Sequence, residues 1–300
     1  MTSVVVPVYN GAHVLGWSVP AVLALDGVDE CVWVDDGSTD ATAETLRALV
    51  GGDPRARVVR LDSNRGRAAA RNVGATVVSG ETQVFLDADV RPPSDLVRAF
   101  ESALDALGAI ATAARISFSG LDASDPYHLY LQRHPRGVPD LPPGAAVPWR
   151  FFVTTAGAVR REAFEASGGF DEAVAYGEDL ALACALAERA PHGFVSSGAT
   201  VEMTDAGTLD TALAKIEAFA HALVPLADRR PDVYRLARLG RLVNPGVGVR
   251  VAGWAPVARS VRRSLGWMPR SLRVQAVRYL LGRTLLHAHA DAQLLARTRR

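Results

Sequence analysis

Cysteine is almost absent from this chain of 300 residues, which contains two. Cys31 and Cys184 each lie in an apolar stretch, and their spacing matches no metal-binding pattern. A small secreted domain held together by disulfides is therefore excluded. We expect both residues to be buried, reduced thiols of a cytoplasmic protein rather than a disulfide pair.

Long apolar runs are also lacking. No stretch of about 18 uncharged apolar residues occurs, so the sequence predicts no membrane-spanning helix. The first strand-like segment begins at about residue 3, which leaves no room for a signal peptide and favours a cytoplasmic location.

Net charge is small, at +1, but the two ends of the chain carry opposite charge. Residues 1–210 contain 16 Arg and 28 Asp or Glu, a net charge of −12. Residues 211–300 contain 17 basic and 4 acidic residues, a net charge of +13. This asymmetry suggests different partners for the two parts. We predict a main domain at residues 1–210, which is long enough for a large core, and a basic helical extension at residues 211–300.

The first hundred residues alternate strand-like and helix-like segments. The predicted strands are residues 3–8, 31–35, 57–61 and 83–86, and the predicted helices between them are residues 12–25, 40–50 and 67–78. This order predicts an α/β fold with a mostly parallel sheet flanked by helices, in which ligands bind at the carboxyl ends of the strands. Further along, we expect a helix at residues 94–107, an irregular loop at 120–150, a strand at 151–159 and a helix at 178–189.

Two carboxylates follow the strand predicted at residues 83–86. Asp87 and Asp89 are one residue apart where an apolar run meets a loop, so they can converge on one divalent cation. Mn²⁺ or Mg²⁺ prefers such oxygen ligands and often completes its shell with substrate phosphates. The alternative is a pair of solvated turn aspartates, because Asp is common at strand ends.

Other motifs accompany this pair in a characteristic order. They are Val6-Pro7-Val8-Tyr9-Asn10, Asp35-Asp36-Gly37-Ser38, Arg65-Gly66-Arg67-Ala68-Ala69-Ala70-Arg71, Gly168-Gly169-Phe170-Asp171-Glu172 and Gly177-Glu178-Asp179. The set resembles the inverting family 2 glycosyltransferases, and the resemblance covers about residues 3–205. It implies a GT-A fold, which is Rossmann-like, with residues 1–210 as the catalytic domain.

The resemblance implies a metal-dependent transfer of one sugar from a nucleotide-diphosphate donor to a hydroxyl acceptor. Asp89 would ligate Mn²⁺ or Mg²⁺, and Asp87 would contact the donor's ribose or a metal-bound water. Asp179 matches the family's general base, and its place at a helix start should keep it ionised. The Gln-x-x-Arg-Trp signature of processive synthases is absent, which favours single transfers.

The donor half of the site is expected at the strand ends. Pro7 and Tyr9 can flank a nucleobase, and Asp36 matches an acid that similar proteins use for the base or ribose. The alternative for Asp35 and Asp36 is a plain Asp-Asp-Gly turn. Arg71 can bind phosphate oxygens in a bidentate way. The donor nucleotide is expected to be UDP, GDP or dTDP, and the sequence does not choose among them.

Possible acceptor contacts are Glu178 and Trp149. Glu178 could instead cap a helix with Asp179, and Trp149 could stack on a sugar or pack in the core. The acceptor is expected to be a glycan or a lipid-linked glycan of the cell envelope.

The sequence also departs from the family pattern in three ways. Family members often carry an Asp and an Arg where this chain has Ala181 and Ala185. Many also carry a late metal-binding His near residues 201–205, where none occurs; Glu202 or Asp205 could replace it. We expect weaker metal affinity. The alternatives are a catalytically degenerate protein acting as a binding module, or a nucleotidyltransferase, although the Gly-rich basic loop of the latter is missing after the first strand.

The end of the chain combines arginines with aromatic residues. They are Arg259, Arg262, Arg263, Arg270, Arg273, Arg278, Arg283, Arg297, Arg299 and Arg300, interleaved with Trp254, Trp267 and Tyr279. Such a segment can lie on an anionic membrane surface, which would make the protein peripheral on the inner face of the cell membrane. It can equally pack on the acidic domain. No nucleic-acid-binding motif is present.

Overall fold

The computed structural model of the protein describes residues 1–105, 108–229 and 255–298, and the chain divides into two compact units. The first unit comprises Met1–Ser117, Pro135–Ala173 and Glu178–Thr204. The second comprises Phe118–His134, Val174–Gly177 and the chain from Asp205 onwards. The sequence predicts one boundary at residue 210. The second unit begins slightly earlier and also includes two short segments from within the predicted main domain.

The described strands form one sheet. In chain order they are β1 (Thr2–Val8), β2 (Glu30–Asp35), β3 (Ala56–Arg60), β4 (Thr82–Leu86), β5 (Val90–Arg91), β6 (Ala111–Phe118), β7 (Arg136–Gly137), β8 (Ala156–Arg160) and β9 (Phe194–Met203). Their order across the sheet is β3-β2-β1-β4-β8-β6-β9-β5, with β7 paired to β6.

The described α-helices cover most of the remaining chain. They are α1 (Ala12–Leu23), α2 (Thr42–Val50), α3 (Arg67–Val77), α4 (Leu96–Asp105), α5 (Pro126–Arg133), α6 (Arg161–Ser167), α7 (Glu178–Arg189), α8 (Leu209–Arg229), α9 (Ala255–Ser264) and α10 (Arg270–Thr298). In the described parts of the chain, no helix has the length and apolar character needed to cross a bilayer.

The alternating first half of the sheet is parallel, as predicted. β1 pairs in parallel with both β2 and β4, and β2 pairs in parallel with β3. β1, β2 and β4 are buried along nearly their whole length, since helices cover the sheet. This two-sided burial explains why these strands are near-continuous apolar runs in the sequence.

The second half of the sheet adds antiparallel strands. β8 lies antiparallel to β4 and to β6, and β5 lies antiparallel to β9. The strand predicted at residues 151–159 begins only at Ala156, because Pro148 is followed by a 3-10 turn at Trp149–Phe151. The sheet is therefore mixed, with its parallel strands together on one side.

The second unit is helical in its described residues. Its core brings α5, α8, α9 and α10 together through Tyr127, Ala212, Ala258, Val277 and Leu280. Helix α5 lies within residues 120–150, so the prediction of an irregular loop is wrong for this part of the chain. The Asp125 carboxylate caps this helix by accepting the backbone N–H groups of residues 127 and 128, and Pro126 occupies its first turn. Trp254, Arg299 and Arg300 lie outside the described residues, as does the side chain of Arg297.

Candidate active site

The carboxyl ends of β1, β2 and β4 bring several of the predicted residues to one edge of the sheet. Asp35 ends β2, Asp36 follows it, and Asp87 follows β4. The register pairs Val8 with Asp35 and Val5 with Phe85, so the three strands end side by side. The fold thus gathers these acidic loops where an open α/β sheet binds its ligands.

A buried arginine joins the Asp87 loop to helix α7. Arg71, which is 2% exposed, donates from Nη1 to Glu178 Oε1 over 2.8 Å and from Nη2 to Asp87 Oδ1 over 2.7 Å. Its guanidinium also lies 5.5 Å from the centre of the Phe170 ring. Both Nη groups are therefore directed at protein carboxylates. The bidentate contact with donor phosphates that the sequence suggests for Arg71 is not available in this arrangement.

Glu178 is likewise occupied within the protein. Its carboxylate is buried and receives Arg71, and Nε of Arg67 approaches it at 3.5 Å. The acceptor contact expected for Glu178 would require a side chain open to a ligand. The structure instead makes Glu178 the partner of a buried cation.

Asp179 lies next to this ion-paired cluster and is half-buried. Burial, supported by repulsion from Glu178, raises the pKa of Asp179 to about 6, while attraction to Arg71 lowers it. The carboxylate also accepts the backbone N–H of Leu180 at 3.0 Å. The sequence predicts an ionised group stabilised by the helix start, but burial has the larger effect. The result is a carboxyl group whose protonation changes close to neutral pH, as a general base requires.

Asp36 and the loops around it form a second cluster at the same edge. The buried Asp36 carboxylate accepts the backbone N–H groups of Arg65 at 2.8 Å and Gly66 at 2.9 Å, which fixes the start of α3. Pro7 is half-buried near the end of β1, and Tyr9 is 48% exposed just beyond it. The Tyr9 ring is thus open to a ligand, whereas Asp36 already holds the adjacent loop.

Asp89 lies in the turn after β4 and is half-buried. Its backbone carbonyl accepts the amide of Thr204 at 3.4 Å and the Thr204 hydroxyl at 3.3 Å, which ties the turn to the end of β9. Glu202 lies opposite Arg91 in the β5–β9 pair. Within the described residues no group of three or more His, Cys, Asp or Glu side chains is arranged to hold a metal ion. Asp87 and Asp89 still offer the oxygen donors that Mn²⁺ and Mg²⁺ prefer, and a diphosphate with water can supply the others.

Comparison with known proteins identifies the family of this chain. A model of the family described as "Glycosyl transferase family 2" matches residues 3–168, more than half of the chain. The chain belongs to glycosyl transferase family 2. The match includes the loops that carry Asp36, Asp87 and Asp89 and the helix α3 that carries Arg71, while Glu178 and Asp179 lie beyond its end.

Two curated relatives of this family 2 protein match part of it. The chain is 37% identical over 119 residues to the succinoglycan biosynthesis protein ExoO of Rhizobium meliloti (strain 1021), covering 39% of this chain. It is 31% identical over 145 residues to an undecaprenyl-phosphate 4-deoxy-4-formamido-L-arabinose transferase of Yersinia pestis (strain Pestoides F), covering 44% of this chain. The matches span 34% and 43% of the lengths of these two relatives, respectively.

A solved structure extends the likeness over nearly the whole chain. The mannosyltransferase PcManGT from Pyrobaculum calidifontis, in complex with GDP-Man and Mn²⁺, is similar with a TM-score of 0.58. Identity is 21%, and the match covers 98% of this chain and 86% of that chain. The predicted GT-A fold is confirmed for this family 2 protein.

Three other predicted positions of the family 2 protein are buried. Trp149 is 8% exposed in a turn that packs near α7, so its ring is a core residue and is not open to a sugar face. Ala181 and Ala185 lie on the buried face of α7. These alanines therefore pack in the interior of the first unit.

Asn72 forms an amide clamp with Phe170 that the sequence did not predict. Asn72 on α3 donates from Nδ2 to the Phe170 carbonyl and accepts the Phe170 amide at Oδ1, each over 2.9 Å. The same Nδ2 group donates to Glu172, which also pairs with Arg65. Gly169 has a φ of +71°, and a Cβ atom there would lie 2.9 Å from Asn72 Oδ1. The only signal in the sequence was the position of Asn72 directly after Arg71.

Proposed function

We propose that this protein is a metal-dependent, inverting glycosyltransferase of the hexosyltransferase type that moves one sugar from a nucleotide-diphosphate donor to a hydroxyl acceptor. The observation that carries the proposal is the Arg71 bridge, because it joins Asp87 of the metal loop to the helix that begins with Glu178 and Asp179. Asp87, which is proposed to act beside the donor, and Asp179, which is proposed to act on the acceptor, therefore belong to one cluster.

The proposed metal ligand is Asp89, with Asp87 either as a second ligand or in contact with the donor's ribose. A divalent cation supplies charge neutralisation to the departing diphosphate. Asp87 keeps its contact with Arg71 in this scheme, so Arg71 acts as a positioning residue rather than a phosphate ligand. Tyr9 and Pro7 would flank the nucleobase, and Asp36 would hold the loop beneath the ribose.

Asp179 is proposed to accept the proton of the acceptor hydroxyl. The oxygen then bonds to the anomeric carbon on the face opposite the diphosphate as the bond to the diphosphate breaks. One in-line displacement inverts the configuration at that carbon, so no second nucleophilic carboxylate is needed. The proton remains on Asp179 until it is released to water, which is easy for a group whose pKa is about 6.

Turnover is expected to depend on pH through Asp179. The group must be unprotonated to act as a base, and its pKa is about 6. Below that pH, kcat should therefore fall about tenfold for each pH unit, and above it kcat should level off. Single-turnover rates between pH 4.5 and 8 check this, with donor binding measured at each pH as a control. A flat profile across pH 6 would remove Asp179 from the proton transfer.

Donor binding tests the metal site. Calorimetric titration with UDP, GDP and dTDP, each with and without Mn²⁺ or Mg²⁺, should show that one nucleotide binds and that it needs the cation. Asp89→Asn is expected to weaken this metal-dependent binding at least about tenfold, because it removes one anionic ligand. The matched control is Asp26→Asn, an exposed carboxylate after α1. Failure of all three nucleotides to bind to folded protein would support the degenerate binding module instead.

The acceptor proposed is a glycan or a lipid-linked glycan of the cell envelope. This rests on the names of the two relatives, one a succinoglycan biosynthesis protein and the other an undecaprenyl-phosphate sugar transferase.

The nucleotidyltransferase alternative makes a different chemical prediction, which is release of pyrophosphate from a nucleoside triphosphate. An assay for pyrophosphate therefore separates the two activities.

A further inference from the structure

The second unit exposes one large aromatic ring to a degree unusual for a folded chain. Trp267 is 92% exposed, at the end of the short 3-10 turn Leu265–Trp267 that joins α9 to α10. Leu265, two residues earlier, is buried in the core with Val277 and Leu280. An indole ring this exposed does not contribute the stabilising free energy that burial of such a large ring provides in a core.

The turn that carries Trp267 is braced from behind by one arginine. Arg273 donates from Nε to the Met268 carbonyl at 2.8 Å and from Nη2 to the Gly266 carbonyl at 2.9 Å, so it holds the residues on both sides of Trp267. Its Nη1 group also donates to the Ser124 carbonyl at 3.1 Å. Arg273 therefore holds the backbone on both sides of the exposed ring.

The sequence around this turn is rich in arginine, and within the second unit one of these residues, Arg262 on α9, pairs with Asp210. No acidic residue occurs between Asp232 and Asp291. Arg259 and Arg263 on α9 and Arg270 at the start of α10 are exposed. Leu272 is exposed as well, close to Trp267 in the chain. An aromatic ring with an apolar neighbour, flanked by guanidinium groups, combines the side chains that favour the interface of an anionic bilayer.

We propose that the Trp267 turn and its flanking arginines dock this protein on an anionic lipid surface. The indole would enter the headgroup region, where one side of the ring is apolar and its N–H can remain hydrated. Arg263 and Arg270 would contact lipid phosphates. The docking itself does not depend on the proposed transfer reaction. Its consequence for catalysis does, since it would hold the enzyme where a lipid-linked acceptor is found.

Flotation of the full chain with vesicles tests this surface without donor or acceptor. The protein is expected to float with vesicles of phosphatidylcholine mixed with phosphatidylglycerol, to remain behind with pure phosphatidylcholine, and to be released by salt. Trp267→Ala should lower the partition coefficient about tenfold, because it removes the inserted ring. The double variant Arg263→Gln with Arg270→Gln should lower it about 25-fold, since each arginine near such a surface contributes a factor of about five.

Matched controls come from exposed residues of the first unit. Leu49→Ala removes an exposed apolar side chain, and Arg47→Gln with Arg98→Gln removes two exposed arginines, so neither variant should change flotation. The proposal is overturned if the wild-type protein stays behind with anionic vesicles, which would favour packing of the basic region within the protein. It is also overturned if the Trp267 and arginine variants float as well as the controls. A failed donor titration with normal flotation would count against the transferase alone.

Discussion

Asp179→Asn is expected to lower kcat about a thousandfold, the range that a general base contributes, while the dissociation constant of the donor nucleotide stays within about twofold. The amide has the same shape as the carboxylate but cannot take the acceptor proton. The measurement is the rate of sugar transfer at saturating donor and metal, together with donor titration of the same preparation. Asp26→Asn, at an exposed carboxylate, is the matched control and should transfer at the wild-type rate.

The loss of activity expected for Asp179→Asn should not come from unfolding of the variant. Because the pKa of Asp179 is raised to about 6, the folded protein holds this proton more tightly than the unfolded chain does. The associated stability is present at low pH and is lost as pH rises through about 6, so at pH 7 the ionised group is unfavourable. The neutral Asn variant should therefore unfold at the same or a higher urea concentration than wild type. Near wild-type turnover by this variant would show that another group accepts the proton.

Arg71→Met is expected to lower the free energy of unfolding by about 3–5 kcal/mol, because it removes the buried cation that Glu178 and Asp87 share. Glu178 would keep only Arg67, which is half-exposed and 3.5 Å away. The matched control is Arg65→Met. Arg65 also pairs with a glutamate, Glu172, at 3.0 Å, but both side chains are about half-exposed. The control should therefore cost less than about 1 kcal/mol. Urea unfolding of the two variants measures the difference directly.

The Arg71 variant has a second expected effect that a purely structural role would not produce. Arg71 lowers the pKa of Asp179, so its loss should move the acidic limb of the pH–rate profile to higher pH. Arg65→Met should leave the limb where it is. Equal losses of stability in the two variants, with no shift of the limb, would contradict the role given to Arg71.

Local patterns were sufficient to predict the parallel half of the fold. β1, β2 and β4 are continuous apolar runs because both faces of the sheet are covered, and Glu178 begins α7 at the predicted residue. The GT-A fold followed from the order of motifs along the chain. Helix α5 was missed because Pro, Gly and Asp dominate its surroundings, although Asp125 followed by Pro126 is itself a helix-start signal.

The features that the sequence did not predict depend on contacts between residues far apart in the chain. Arg71 and Glu178 are 107 positions apart, so no local pattern shows that a cation near the donor loop is used by a carboxylate of α7. The same holds for the clamp between Asn72 and Phe170, and for the burial of Trp149. The raised pKa of Asp179 also depends on packing, and helix position alone predicted the opposite direction.

The long span of the Arg71–Glu178 pair constrains how parts of this protein can be exchanged with those of related enzymes. A hybrid joined near Gly168 would take Arg71 and Asn72 from one parent and Phe170, Glu178 and Asp179 from the other. Unless the second parent supplied an acid at the Glu178 position, the hybrid would bury a guanidinium with half of its counter-charge missing. A junction before α3 takes Arg71, Asp87 and Glu178 from the same parent. More hybrids with such a junction should therefore fold than hybrids joined near Gly168.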